Sequence, residues 1–499
     1  MVFSSIIFLY AFLPAILVLY FLTPRRGRNA LLLLGSLFFY TWGEQLLVFV
    51  MLTSTVVDYV CGLIIYSRFD SKDLETGSIP ERRTRTQKAA LLSSIVVNLL
   101  MLGVFKYFNF AMDNYNAFMA WVGLEHLAAY DMIRIVFPLG ISFYTFQSMS
   151  YTIDVYRGQA RADRNFINFA CYVTMFPQLI AGPIVRYTSV AHELKNRQTT
   201  IPGFADGVRQ FIIGLGRKML VANVLAEAVD AIFALPNEEI TMTLAWTAMG
   251  LFALQLYYDF AGYSDMAIGM GKMFGFHFPP NFNYPFIAKT MSDFWRRWHM
   301  SLSTWLRDYL FEPIGGFWEG RARSCLNVMV VFVACGIWHG ASWNFVIFGF
   351  TLGGCVVFEH LVRADRSKIF QSPLGHIYLV VVLLINLIVF RGETVDQSAV
   401  FFKAMLGFSG LSNPVYPTGL FIKPETIVVA LAALLGSIPI VPWLRKSIDR
   451  AVQELGTSAG STLEFIRNFA VTAILMTILI LSAMKLAVGT YNPFIYFRF

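Results

Sequence analysis

Long apolar runs separated by short polar stretches dominate the chain, and none of them alternates with a period of two. Continuous apolar stretches of about 20 residues predict membrane-spanning helices, whereas barrel strands alternate residue by residue. After an apolar opening, VFSSIIFLYAFLP, the runs fall near 30–42, 44–66, 89–112, 131–153, 165–185, 206–233, 241–276, 324–358, 373–390, 425–444 and 468–488. No basic residue precedes the first run, and Arg25, Arg26 and Arg28 follow it. That predicts an uncleaved first helix with its N-terminus outside and its basic end in the cytoplasm. The polar stretch 67–88, ending in RRTRTQK, and the stretch 445–467, with Arg445, Lys446, Arg450 and Arg467, also read as cytoplasmic loops. The C-terminus is then expected outside, and the crossings are even in number, ten or twelve. The whole of 1–499 reads as one integral-membrane domain without an internal repeat of transporter type.

Two segments depart from uniform apolar spans. MFPQLIAGPIVRY (175–187) carries two prolines and a glycine inside an apolar run, which predicts a re-entrant or broken helix lining a cavity. MSDFWRRWHMSLSTWLRDYLF (291–311) holds Asp293, Arg296, Arg297, Arg307 and Asp308 within 16 residues. At about 2.5–3.5 kcal/mol per central charge, such a segment does not span facing lipid. It reads as an amphipathic helix lying in the interface, with its tryptophans at headgroup level, or buried in protein.

Composition sharpens this picture. The 499 residues are 57% hydrophobic and 14% charged, against about 25% charged in ordinary soluble proteins. A soluble enzyme, a disordered chain, a collagen and a disulfide scaffold are excluded. The net charge of +8 sits in short polar stretches, so membrane orientation explains it without nucleic acid. Cys61, Cys171, Cys325, Cys335 and Cys355 are scattered and form neither a disulfide framework nor a zinc motif.

Candidate chemistry is sparse. Ser324 to Phe358 is a charge-free run of 35 residues with one imidazole, His339, near its middle. The competing reading is a buried histidine satisfied by a backbone carbonyl. In a membrane an ionisable side chain is costly unless solvated or paired, so a functional role becomes the default. Gly336, Gly340 and Ala341 are expected to keep the backbone accessible, and Trp338 and Trp343 to wall a passage. In 291–311, helical spacing puts residues 295, 299, 302, 303 and 306 on one face, so His299 joins Trp295, Leu302 and Ser303. Asp293 and Arg297 are spaced to pair. His299 reads either as an interfacial histidine of a lipid-binding helix or as a second proton-handling group. Asp259 and Asp265, in the run 256–276, are expected to pair with arginines of 291–311, and Gly271 and Gly275 to allow close helix packing. GTSAG (456–460) has no strand before it, so a nucleophile elbow is not expected. GLGRKM (214–219) lacks the last glycine of a dinucleotide fingerprint, and no metal-ligand cluster is present in the sequence.

Six motifs in order carry a family resemblance: FPLGISFYTFQSMSYTIDVYRG (137–158), FPQLIAGPIVR (176–186), DFAGYSDMAIG (259–269), DFWRRWHMSLSTWLRDYLF (293–311), GIWHGASW (336–343) and the terminal PFIYFRF (493–499). With the opening run, the chain resembles the membrane-bound O-acyltransferases, and among them the bacterial alginate O-acetyltransferase type. The resemblance covers essentially the whole chain; teichoic acid D-alanyl transferases are more distant. It implies an all-α polytopic helical bundle with broken helices and an amphipathic interfacial helix around a central tunnel. It also implies acyl transfer from a thioester donor to a hydroxyl, with His339 matching the family's essential histidine and His299 its second. Gly315-Gly316-Phe317-Trp318-Glu319 departs from the family's usual G-G-N-R after Pro313, which removes the basis for any family contact by that loop.

The expected protein is therefore a multi-pass inner-membrane O-acetyltransferase of exopolysaccharide, alginate first, with cellulose, peptidoglycan or another glycan as alternatives. Acetyl-CoA or another acetyl thioester on the cytoplasmic side is the expected donor, with no bound cofactor or metal. Periplasmic acetyltransferases of the SGNH type are the implied partners. His339 is expected to accept the hydroxyl proton or carry the acyl group, and His299 to orient a substrate or shuttle the proton. The expected tunnel is walled by 176–183, 291–311 and 336–343, with both histidines opening onto it. A polysaccharide or acyl transporter is the rival class, but it gives no reason for two tryptophan-flanked histidines; a scaffold that recruits the transferase is a third reading, which acetyl transfer by the purified protein would separate.

Overall fold

The computed structural model describes residues 2–69, 83–130, 132–318, 320–454 and 456–489, and among these it contains helices and no strand. Most of the 67–88 loop, Glu319 and the terminal PFIYFRF lie outside the described residues. Among the described residues, six stretches are long and apolar enough to cross a membrane: Arg25–Tyr66, Arg85–Trp121, Arg321–His339, Trp343–Leu361, Pro373–Arg391 and Gly460–Ala487. A seventh arises if Pro424–Gly436 and Ile440–Glu454, bent by 58°, form one span. The first stretch divides near Gln45, whose φ is +48°, into helices Arg28–Glu44 and Val48–Tyr66. The chain is thus a multi-pass membrane protein. Ten or twelve crossings would need shorter or more polar helices to cross as well. The 206–233 run, for example, folds as Ile201–Gly216, a π-helical turn and Asn223–Phe233. The expected cytoplasmic loop 445–467 is taken up by helices Ile440–Glu454 and Gly456–Ala487, where Arg467 pairs with Asp449 at 2.6 Å. GTSAG falls at the start of the second of these, in a helix.

The chain divides into two compact units. The first comprises 1–207, 267–279 and 340–342. Its core is pinned by Asp58 on Val48–Tyr66. This carboxylate accepts from Ser94 Oγ at 2.5 Å and Asn98 Nδ2 at 2.8 Å on Arg85–Trp121, and from Ser148 Oγ on Ile141–Arg157. An intramembrane carboxylate is tolerated when its lone pairs are filled, and here two neighbouring helices supply the three donors. The expected break in 175–187 is present: a four-residue helix, Phe176–Leu179, gives way to irregular backbone. Side chains answer the freed peptide groups. Ser36 Oγ accepts from Phe176 N–H at 3.0 Å, and Tyr172 OH donates to the Val185 carbonyl at 2.9 Å. Gly275 ends the helix Met242–Met273 at a φ of +84°, with Phe276 N–H closing on the Gly271 carbonyl at 2.8 Å. It therefore serves as a helix stop, and its close approach is to the loop at Gln198, whose carbonyl oxygen would lie 3.1 Å from a Cβ there, and not to a second helix.

The second unit comprises 208–266, 280–339 and 343–499. Within it a Cβ on Gly214 would lie 2.6 Å from the Gly262 carbonyl oxygen, so these glycines let two helices approach closely. That approach brings the turn Arg217–Ala222 against Met242–Met273. Asp259 pairs with Lys218 at 2.6 Å, with side chains 3% and 2% exposed, and Asp265 pairs with Arg217. The partners expected from 291–311 are not used, because these cations sit directly across the glycine contact. Arg391 similarly reaches Asp230 at 2.5 Å.

A buried pair is costly to half-remove, because the survivor stays charged and desolvated. Lys218→Met is expected to destabilise the protein by about 3–5 kcal/mol, and Lys218→Met with Asp259→Leu to recover most of it. Thermal unfolding of the purified protein in detergent measures both. A double variant no more stable than the single one would refute this reading of the pair.

Candidate active site

His339 is the last residue of helix Arg321–His339, and Trp343 opens the next helix, Trp343–Leu361. These helices cross at glycines. A Cβ on Gly336 would lie 2.2 Å from the Phe345 carbonyl oxygen, and one on Gly349 would lie 2.4 Å from that of Phe332. Gly336 thus permits backbone contact between the helices one turn before His339, a different role from the accessible backbone expected of it. His339 is 5% exposed. Its ring meets Trp338, Phe390 and Phe348 edge-on, at centroid distances of 5.0, 5.5 and 6.0 Å. It lines a cavity of about 40 Å³ together with Trp295, Trp298, Asn386 and Phe390. That volume holds a few water molecules. The two tryptophans expected to wall a passage are not among the residues lining this cavity: Trp338 is buried and Trp343 is 56% exposed.

The 291–311 segment is not one continuous helix. It runs as Met291–Arg297, then Met300–Leu306, then a π-helical turn Arg307–Phe311. His299 stands at the break with φ +43° and ψ +54°. The single face proposed for 295, 299, 302, 303 and 306 therefore does not form. A left-handed non-glycine residue costs about 1–2 kcal/mol, so the surrounding contacts must impose it. They come from segment 281–283: the Asn281 carbonyl accepts from Met300 N–H at 2.9 Å, and Asn283 N–H donates to the Arg297 carbonyl at 2.9 Å. Asn281 Oδ1 accepts from Ser301 N–H at 3.2 Å and from Ser301 Oγ at 2.9 Å. At the other end, buried Glu359 receives Met291 N–H at 2.5 Å, Ser292 N–H at 2.9 Å and Ser292 Oγ at 2.5 Å. A carboxylate there satisfies the open amides of a helix start. Asp293 and Arg297 pair at 3.0 Å, as their spacing predicts.

Of the two placements open to this segment, the side chains show burial in protein along one side. Trp298, Leu302 and Trp305 are buried and Arg296 and Arg307 exposed. His299 is fully buried; its Nδ1 lies 3.0 Å from Asn281 Oδ1, and its ring meets Phe260 edge-on at 4.6 Å. Trp338 contacts both imidazoles, with its centroid 6.0 Å from that of His299 and 5.0 Å from that of His339. Burial, and then the nearby His339, push the His299 pKa well below its ordinary value. The two candidate histidines are thus brought together around one indole, but only His339 is among the residues lining the cavity. The 176–183 segment belongs to the first unit and Asp259 and Asp265 to the ion pairs above. Sequence reasoning passed over Asn281 and Glu359. The available signals were a polar residue inside PPNFNYP and the acid that ends the 35-residue charge-free run.

Comparison with known proteins bears on this arrangement. MBOAT, the membrane-bound O-acyltransferase family, matches residues 37–396. "Probable alginate O-acetylase AlgI" of Azotobacter vinelandii is 36% identical over 516 aligned positions, covering 100% of both chains. The "Peptidoglycan O-acetyltransferase" of Helicobacter pylori is 30% identical, covering 83% of this chain and 81% of its own. A "Teichoic acid D-alanyltransferase" of Bacillus subtilis is 31% identical over 42% of this chain and 56% of its own.

The glycine crossing that seats His339 has a direct test. A Cβ at Gly336 overlaps backbone, whereas Gly354 on the partner helix has nothing within 4 Å. Gly336→Ala is expected to cost about 1–3 kcal/mol through overpacking, and Gly354→Ala to leave stability unchanged or slightly higher. Melting temperatures of the two purified variants compare them. Equal loss at both positions would remove the special role of the crossing.

Proposed function

The chain belongs to the membrane-bound O-acyltransferase family, and from that premise we propose that it moves acetyl groups onto a polysaccharide, with His339 as the proton acceptor. The observation that carries the proposal is the buried His339 on its small cavity, coupled through Trp338 to a second buried imidazole. A neutral imidazole suits a general base at ordinary pH. The acceptor hydroxyl attacks the thioester carbonyl as imidazole takes its proton. The new C–O bond forms, the C–S bond breaks, and the thiolate leaves with the proton returned from the imidazole. His299 takes part in handling that proton.

Acetyl-CoA, or another acetyl thioester on the cytoplasmic face, supplies the acyl group in this reading. Alginate is the first acceptor to test, because the likeness to the Azotobacter vinelandii protein runs the full length of both chains, further than the likeness to the peptidoglycan enzyme. The inner membrane, termini on the periplasmic side and an SGNH-type periplasmic partner complete the proposal. They rest on the basic stretches at 25–28 and 445–467 and on the resemblance in sequence.

In cells that make the polymer, His339→Ala is expected to lower its acetylation by about 10²- to 10⁴-fold, the range for loss of a general base, with the protein still inserted at normal abundance. Acetyl content of the polymer and membrane immunoblots provide the two readings. Normal acetylation in a well-expressed variant would overturn the assignment.

A further inference from the structure

We propose that Asn281 is a positioning residue that holds His299 in the tautomer protonated on Nδ1, so that the Nε2 lone pair is presented as a proton acceptor. The proposal rests on the acetyl-transfer reading only for the use made of that lone pair; the tautomer itself follows from hydrogen bonding. Asn281 is 1% exposed and lies between the helix carrying Phe260 and Ser264 and the break at His299. An amide side chain has one accepting and one donating end, and the two look alike in shape. Here a backbone group decides which end is which. Ser301 N–H points at one terminal atom of Asn281 from 3.2 Å, and a peptide N–H only donates, so that atom is the carbonyl oxygen. The other end, Nδ2, then donates to Ser264 Oγ at 3.0 Å.

The same carbonyl oxygen lies 3.0 Å from His299 Nδ1. An oxygen that only accepts requires a proton on Nδ1. In a neutral ring that leaves the lone pair on Nε2, because the hydrogen bond at one ring nitrogen sets the state of the other. The neutral form is the one the site favours: the ring is fully buried among Phe260, Trp338 and Asn281, and His339 is the titratable group acting on it. A ring in this state first takes a proton at Nε2 and only then has one to give there. His299 therefore accepts the hydroxyl proton from His339 and gives it back, so that the departing thiolate leaves protonated. The arrangement follows the logic by which a base is oriented by a third group that does not itself react.

Nitrogen-15 spectra of the full chain in detergent, labelled at histidine, test the tautomer directly, with His299 assigned by its loss in His299→Gln. The wild type is expected to show Nδ1 protonated and Nε2 bare, and Asn281→Ala to lose that pattern. With acetyl-CoA and alginate oligosaccharide as probes, Asn281→Ala is expected to lower kcat about 10²-fold with KM for acetyl-CoA near the wild-type value. Asn281→Asp keeps the accepting oxygen, so it restores the Nδ1-protonated pattern and much of kcat. Its added negative charge raises the His299 pKa. The base form is then lost at a higher pH, and the acidic limb of the kcat profile moves up. A purely structural role for Asn281 would not move that limb. A wild-type His299 protonated on Nε2 overturns the proposal, even if Asn281→Ala fails to fold. So does a folded Asn281→Ala with the wild-type spectrum or kcat. A wild type that shows the expected tautomer but transfers nothing from acetyl-CoA sinks the donor assignment and leaves the tautomer standing.

Discussion

A helix that breaks inside a membrane protein must have its freed peptide groups answered by something other than water, and the break at His299 is where the second unit meets that demand. The segment 281–283 answers it on one side, with one carbonyl, one N–H and one side-chain amide. Glu359 answers it at the start of Met291–Arg297. Once these partners are in place, the left-handed backbone at His299 is imposed and not chosen. The imidazole then leaves the face a continuous helix would have given it and turns toward Asn281 and Trp338. Strain of about 1–3 kcal/mol persists only where the surroundings over-determine it. Here it falls on His299, the residue proposed to handle the proton.

The same demand, applied to charge, organises the rest of the interior. Buried ionic groups are answered within reach: Asp58 by three hydrogen-bonding side chains, Asp259 by Lys218, Asp230 by Arg391 and Glu359 by a helix start. In a low-dielectric interior an unanswered charge is far more costly than a paired one is favourable. Such groups therefore fix which helices meet and in what register, while the apolar surface between them is interchangeable. Glycines at 214, 262, 336 and 349 supply the complementary condition, backbones close enough for short side chains to span the gap.

Much of this was legible in the chain. The long apolar runs predict a multi-pass helical protein, the prolines at 177 and 183 mark the broken segment, and the isolated His339 stands out against 35 charge-free residues. Periodicity failed at 291–311 because it assumes a continuous helix. The contacts that break it come from residues 20 and 67 positions away, and no local pattern records them. The pairing of Asp259 and Asp265 was misplaced for a similar reason. Charge complementarity names possible partners, but the glycine approach that selects Lys218 and Arg217 is a property of two helices and not of one. Gly336 and Gly275 show the same limit: the sequence leads one to expect accessible backbone at the first and helix packing at the second, and they serve as a helix crossing and a helix stop.

The two imidazoles are held by unlike devices, and this has a chemical consequence. His339 is fixed by the end of a regular helix whose position depends on the Gly336–Gly349 crossing. His299 is fixed by an irregular backbone and by a hydrogen bond from its own ring nitrogen to Asn281. A helix end sets where a side chain sits but leaves its protonation to the surroundings. A hydrogen bond donated to an amide carbonyl sets the tautomer, and the amide contributes no formal charge. Replacing that amide by a carboxylate would keep the tautomer and favour the imidazolium, as in sites where an acid orients a histidine. With an amide the ring stays neutral, and in the proposed mechanism it can then return its proton for the leaving thiolate. Under that mechanism, asparagine in place of aspartate at 281 makes His299 a transient proton carrier and not a permanently charged one, in a fully buried place where a lasting charge is costly.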